Sequence, residues 1–88
     1  MNIVFSAHGE RAFSKLVRKV QEQVIQELTS LSGDRFWYRR ARKLKGNKDR
    51  FRLRIGRWRV LFEVKGEQME VMDIFLRKEE GDYRRRSL

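Results

Sequence analysis

A chain of 88 residues with 22 Lys/Arg, 12 Asp/Glu and a net charge of +10 has room for one small domain, spanning 1–88, around a single two-layer core. It contains no cysteine, which excludes a disulfide framework and a thiolate metal site and makes a reducing cytoplasm the expected setting. The opening MNIVFSAHGER has neither a basic n-region nor an apolar h-region, and no run approaches bilayer-spanning length, so a soluble, unexported protein with no membrane partner is expected.

Taken in order, Asn2–Phe5 is a short apolar run suited to a first strand. Ser6 is placed as a helix N-cap with Glu10 in the first turn. Apolar residues then recur at Ala12, Phe13, Leu16, Val17, Val20, Val24, Ile25, Leu28 and Leu31. This i, i+3, i+4 spacing predicts an amphipathic helix, or two helices hinged near Arg18–Lys19, ending at Ser32-Gly33. The stretch FWYRRARKLKG mixes aromatic and basic residues without a clean period. It is read as a loop leading into a strand, with Phe36, Trp37 and Leu44 anchored in the core. Aromatics among basic residues also occur where bases stack.

Charge is concentrated. Residues 35–59 hold twelve Lys/Arg and one acid, Asp49, while the rest of the chain carries ten basic and eleven acidic residues. A basic segment on a balanced scaffold is an electrostatic footprint for phosphates. It reads as strand rather than amphipathic helix, which argues against an anionic membrane surface.

Within that segment two strand-like runs flank Gly56-Arg57, a two-residue hairpin loop with Gly first. Folding there pairs Ile55 with Trp58, Leu53 with Val60 and Phe51 with Phe62 on one face. The other face then sets Arg54 opposite Arg59, with Arg52 and Arg50 further along. Like charges directly opposite are destabilising by up to about 1 kcal/mol, a penalty that a polyanion would remove. Arg54→Ala or Arg59→Ala is therefore expected to leave the free fold intact or slightly stabilised.

After the hairpin, Gly66 marks a second turn and Met69–Leu76 a further strand. A one-residue slip exchanges the faces of a strand, and burying an unpaired Asp is costly. A three-residue loop, Gly66-Glu67-Gln68, is therefore expected, because it sends Met72, Ile74 and Leu76 to the core and Asp73 and Arg77 to the face of Arg59. The tail KEEGDYRRRSL is read as a turn or short helical piece lying over the sheet edge.

His8 is the sole histidine. With no cysteine to join it, a zinc site or Cys-His pair is excluded, and its place at a helix start suits a surface or capping role. Glu79-Glu80 is read as solvated charge, and neither a Walker loop nor GxGxxG is present. What remains is a cluster of Arg52, Arg54, Arg59, Arg77 and Tyr83. Lys43, Lys45, Lys48, Arg50 and Arg57 surround it as RNA-binding candidates. Guanidinium groups bind phosphate in a bidentate manner and stay charged at any working pH. Several around one phosphodiester stabilise its extra-charged transition state. With RNA the nucleophile can be its own 2′-OH, so neither a metal nor another cofactor is required. A binding groove without catalysis uses the same residues.

Leu44-Lys45-Gly46, Phe51-Arg52-Leu53-Arg54, Trp58-Arg59, and Arg77 six residues before Tyr83 together resemble the RelE branch of the RelE/ParE toxin superfamily over residues 44–83. The resemblance implies an α+β fold, a small antiparallel sheet with two N-terminal helices packed on one face. It implies a type II toxin that enters the ribosomal A site and cleaves mRNA without metal, leaving a 2′,3′-cyclic phosphate and a 5′-hydroxyl. It further implies a cognate antitoxin that wraps the toxin and covers the basic face. In the family the positions matching Arg52 and Arg54 are typically lysines, one thought to act as general base. Arginine, with a pKa above ~12, is a poor base. Either Tyr83 or Glu63 takes the proton, or the activity is weakened or changed. Two other readings share the residues: a ParE-like gyrase inhibitor, which has no need of the Arg77–Tyr83 pair, and a non-catalytic RNA-binding module.

Overall fold

The structure, a computed structural model, describes residues 1–46 and 49–77. Its elements are β1 (Asn2–Phe5), α1 (Ala7–Ser14), α2 (Arg18–Ser32), a single 3₁₀ turn (Trp37–Arg39), β2 (Arg42–Lys43), β3 (Arg50–Ile55), β4 (Trp58–Lys65) and β5 (Gln68–Leu76). The strands form one sheet in the order β1-β5-β4-β3-β2. Three neighbour pairs are antiparallel, as expected, and β1 adds a parallel edge on β5. The tail reading falls on 78–88, outside the described residues, as do the positions of Lys48 and Tyr83.

The sequence sets each boundary through a local interaction. Ser6 Oγ accepts the Gly9 N–H at 2.9 Å, the N-cap that starts α1. Gly9 sits where α1 meets β5, and a Cβ there would lie 2.1 Å from the Val71 carbonyl oxygen. Only a residue without a side chain lets the two backbones approach so closely. The helical run breaks at 15–17, just before the anticipated hinge. The Gln21 side chain donates to the Phe13 carbonyl at 3.0 Å across the break, adding to the Leu16 N–H that the same carbonyl accepts at 3.1 Å. From there α2 crosses the sheet, and its far end is tied back by the Met1 amine, which donates to the Ser32 carbonyl at 2.8 Å.

The core lies between α2 and one face of the sheet. Val24, Leu28 and Leu31 of α2 are fully buried against Leu53, Ile55, Val60, Phe62, Met69, Val71 and Ile74. Each such side chain contributes roughly 1.5–3 kcal/mol through removal from water. Phe51 stacks on Phe62 at 5.7 Å, and Trp37 meets both rings edge-on. Trp37 is thus a core anchor, as expected. Phe36 is not: it stays 43% exposed.

The second turn differs from expectation. Lys65 pairs with Gln68, so the loop holds two residues, Gly66-Glu67, and the extra residue sits inside β5. Leu61 pairs with Asp73 while the adjacent Phe62 pairs with Val71, leaving Met72 as a bulge. The bulge does what the longer loop was expected to do. It turns Ile74 and Leu76 toward Val60 and Trp58 without displacing Met69 and Val71 from the core.

Candidate nucleic-acid interface

The hairpin has the expected register. Ile55 pairs with Trp58, Leu53 with Val60, Phe51 with Phe62 and Arg54 with Arg59. Gly56 has φ +57°, the left-handed region in which a side chain would be strained, so glycine at the first loop position lets the two strands meet so tightly. On the face away from α2, two rows of side chains follow from the pairing. One runs Arg54, Arg59, Phe75; the next runs Arg42, Arg52, Leu61, Asp73. The Arg77 N–H donates to the Arg57 carbonyl at 2.7 Å, pinning the end of β5 to the hairpin loop. Arg54, Arg57, Arg59 and Arg77 therefore gather at one end of the sheet.

Arg59 departs from expectation. It is 2% exposed, and its Nη1 donates to the carbonyls of Gly56 at 3.1 Å and Trp58 at 3.0 Å. Its charge is bound by the backbone of the hairpin tip, which offsets the repulsion from Arg54 without an external anion. The reason lies in its surroundings: Leu61, Asp73 and Phe75 on the same face are also buried. This face is open around Arg54 and closed beside it. The signal was present in Val60-Leu61-Phe62 and Ile74-Phe75-Leu76, uninterrupted apolar runs that mark strands covered on both sides.

The remaining candidates separate by position. Arg54, Arg57 and Arg77 are exposed, and Arg52 is half-buried. Arg50 pairs with Glu63 through Nε and Oε2 at 2.5 Å, both half-buried, so the carboxylate considered as a proton acceptor is held by a guanidinium at the end of the face away from the loop. Lys45 is exposed beside the turn that follows β2. Lys43 pairs with Phe51 and so lies on the helix-bearing side of the sheet, whereas Arg42, not singled out from the sequence, pairs with Arg52 on the arginine side. In a two-residue strand only the register distinguishes them. Asp73, placed on this face as expected, is buried. Its Oδ1 accepts the Ile74 N–H at 2.8 Å and lies 3.2 Å from His8 Nε2. This pair borders a cavity of about 320 Å³ between α1 and the end of β5, rimmed by Arg11, Lys15 and Trp58. Among the described residues no group of three or more metal-ligating side chains occurs, and no helix is long and apolar enough to cross a membrane.

No family profile matches the chain, and no curated protein sequence is similar to it. Solved structures are. A RelBE toxin–antitoxin complex from Mycobacterium tuberculosis superposes with a TM-score of 0.74 at 19% identity, over 86% of this chain and 90% of that one. The isolated Escherichia coli RelE toxin gives 0.72 at 19% identity over 96% and 92%, and a RelB-RelE antitoxin–toxin complex from Methanococcus jannaschii gives 0.71 at 19% over 91% and 96%. With the two helices, the mixed five-stranded sheet and the arginine hairpin in place, this chain has a RelE-like fold.

Proposed function

We propose that this protein is the toxin of a type II toxin–antitoxin pair and that it cleaves mRNA on the ribosome. The observation that carries the reading is the end of the sheet where Arg54 stands exposed beside Arg59, with Arg57 and Arg77 drawn to the same place. Three exposed arginines and one buried arginine at the same end of the sheet suit a phosphodiester whose negative charge rises in the transition state. In the reaction the 2′-oxygen of the RNA forms a bond to the neighbouring phosphorus and gives up its proton to a base. The bond from phosphorus to the 5′-oxygen breaks, and that oxygen is protonated, leaving a 2′,3′-cyclic phosphate and a 5′-hydroxyl. Arg59, held by the Gly56 and Trp58 carbonyls, supplies a fixed positive charge. Arg54 and Arg77 are the exposed phosphate ligands, Arg52 extends them, and Tyr83 is the candidate for orienting or deprotonating the 2′-OH. Lys45 and Lys48 carry the flanking backbone. The neighbours solved with RelB bound support an antitoxin as the regulating partner, and action on ribosomes places the protein in the cytoplasm.

Primer extension on an mRNA incubated with ribosomes tests this, comparing wild type with Arg54→Ala and Tyr83→Phe. Cuts that need ribosomes, leave a 2′,3′-cyclic phosphate and a 5′-hydroxyl, and fade in both variants support the reading. Intact mRNA would sink it in favour of gyrase inhibition or RNA binding without cleavage.

A further inference from the structure

The segment between α2 and β2 holds aromatic and basic side chains that the arginine face leaves unused. Trp37 turns into the core, but Phe36 and Tyr38 on either side of it are 43% and 51% exposed. Tyr38 is held edge-on by Trp37 at 6.0 Å and by Phe36 at 6.3 Å, so a ring anchored in the core sets its position. Arg39 lies over the Phe36 ring with Cζ 4.6 Å from the centroid, and Arg35 lies 5.6 Å from it. Among the described residues neither Arg35 nor Arg39 forms an ion pair, whereas Arg40 is committed to Glu27 and Asp34. Residues 35–46 contain six Lys/Arg and no acid.

We infer that Phe36 and Tyr38, flanked by Arg35 and Arg39, form a base-stacking platform for single-stranded RNA leaving the arginine face. The inference rests on the nucleic-acid reading above and extends it to a second contact. A continuous route joins the two places. Arg42, paired with Arg52, lies on the arginine side of β2, and Lys43, paired with Phe51, lies on the other. Phe51 meets Trp37 at 4.8 Å, and Trp37 meets Tyr38. A strand crossing the β2 edge passes from Arg52 and Arg42 to Lys43 and then to the exposed rings, which gives Lys43 a role on the side where the register puts it. Rings and guanidinium planes accept any base by stacking, and the local positive charge attracts the phosphates between them. Six Lys/Arg and no acid in residues 35–46 favour a polyanion as the occupant.

The test is fluorescence anisotropy with labelled single-stranded oligoadenylates of roughly 4 and roughly 12 nucleotides, using Phe36→Ala, Tyr38→Ala, Tyr38→Phe and Arg54→Ala. Both alanine variants are expected to weaken the longer oligonucleotide about tenfold while leaving the shorter one unchanged, since stacking on one ring supplies an effect of that order. Tyr38→Phe retains wild-type binding, and Arg54→Ala weakens both lengths. Wild-type affinity of both alanine variants for the longer oligonucleotide overturns the inference and leaves the arginine-face reading standing. If those variants instead lose only the antitoxin, the patch is a protein contact and the inference is equally overturned. Failure of the wild type to bind either length overturns the arginine-face reading and the platform with it.

Discussion

Two effects meet at Arg59 and oppose each other. Its guanidinium satisfies the Gly56 and Trp58 carbonyls at the tip of the hairpin, and its charge stands beside the exposed Arg54. Truncating it removes a side chain that is 2% exposed together with its bonds to two backbone carbonyls, so Arg59→Ala is expected to cost about 1–3 kcal/mol in urea denaturation. Arg54→Ala is expected to stay within about 0.5 kcal/mol of wild type, as surface substitutions do. Equal stability of the two variants would remove the structural role assigned to Arg59. Gly9 belongs to the same scale. A Cβ 2.1 Å from the Val71 oxygen forces α1 away from β5, and Gly9→Ala is expected to lose about 1–3 kcal/mol by the same measurement. The hairpin pairs and the Ser6 cap were legible in the residues, because local chemistry decides them. The burial of Arg59 shows only indirectly, through the apolar runs Val60-Leu61-Phe62 and Ile74-Phe75-Leu76, because it depends on what covers Leu61 and Phe75.

At the level of elements, the connection between α2 and β2 is held by one carboxylate. Asp34 Oδ1 accepts the Phe36 N–H at 2.8 Å, and Oδ2 accepts from Arg40 Nη1 at 3.3 Å. The Phe36 N–H above all, then Arg40, outweigh the opposing effect of desolvation and hold the carboxyl below its ordinary 3.8. A lowered folded-state pKa gives stability that is present above the ordinary value and lost as pH falls through the folded one. Asp34→Asn should therefore flatten the acid limb of a thermal-melt series below about pH 4, and an unchanged limb would exclude this carboxyl as its source. The same segment explains why, of the two rings expected in the core, Trp37 is there and Phe36 is not. A 3₁₀ turn points successive side chains in different directions, so one ring enters the core while its neighbours face solvent. In β5 the parity argument found the right faces for Asp73, Ile74 and Leu76 but put the extra residue in the loop. A bulge at Met72 and a longer loop satisfy that parity equally, and Asp73 is buried on the arginine side all the same, where the Ile74 N–H and His8 meet its carboxylate.

For the whole molecule, the basic track is the property that should dominate measurement. Binding to single-stranded RNA is expected to fall with salt at a logarithmic slope of about 0.7 per phosphate contact. Replacing Arg54 or Arg57 removes one contact each and lowers the slope accordingly, which titrations at several salt concentrations resolve. A slope that is unchanged by both substitutions would mean that the phosphates lie elsewhere. The fold was legible because the strands and helices announce themselves in turn and period. The site was legible as a charge excess and a spacing, but its division into exposed Arg54, bound Arg59 and paired Arg50 comes only from the packed sheet.

The parallel pairing of β1 with β5 has a consequence in time. Asn2–Phe5 is synthesised before Gln68–Val71, to which it hydrogen-bonds, so this edge of the sheet waits until the strands between them have been made. The β3-β4-β5 meander, built from short-range contacts, can form early and without it. Closure by β1 is then a late event in folding, and Ile3→Ala should speed unfolding while leaving the refolding rate nearly unchanged. A slowed refolding limb in stopped-flow measurements would put β1 in the nucleus instead. On this order of events, the arginine hairpin is assembled before the scaffold that steadies it is complete.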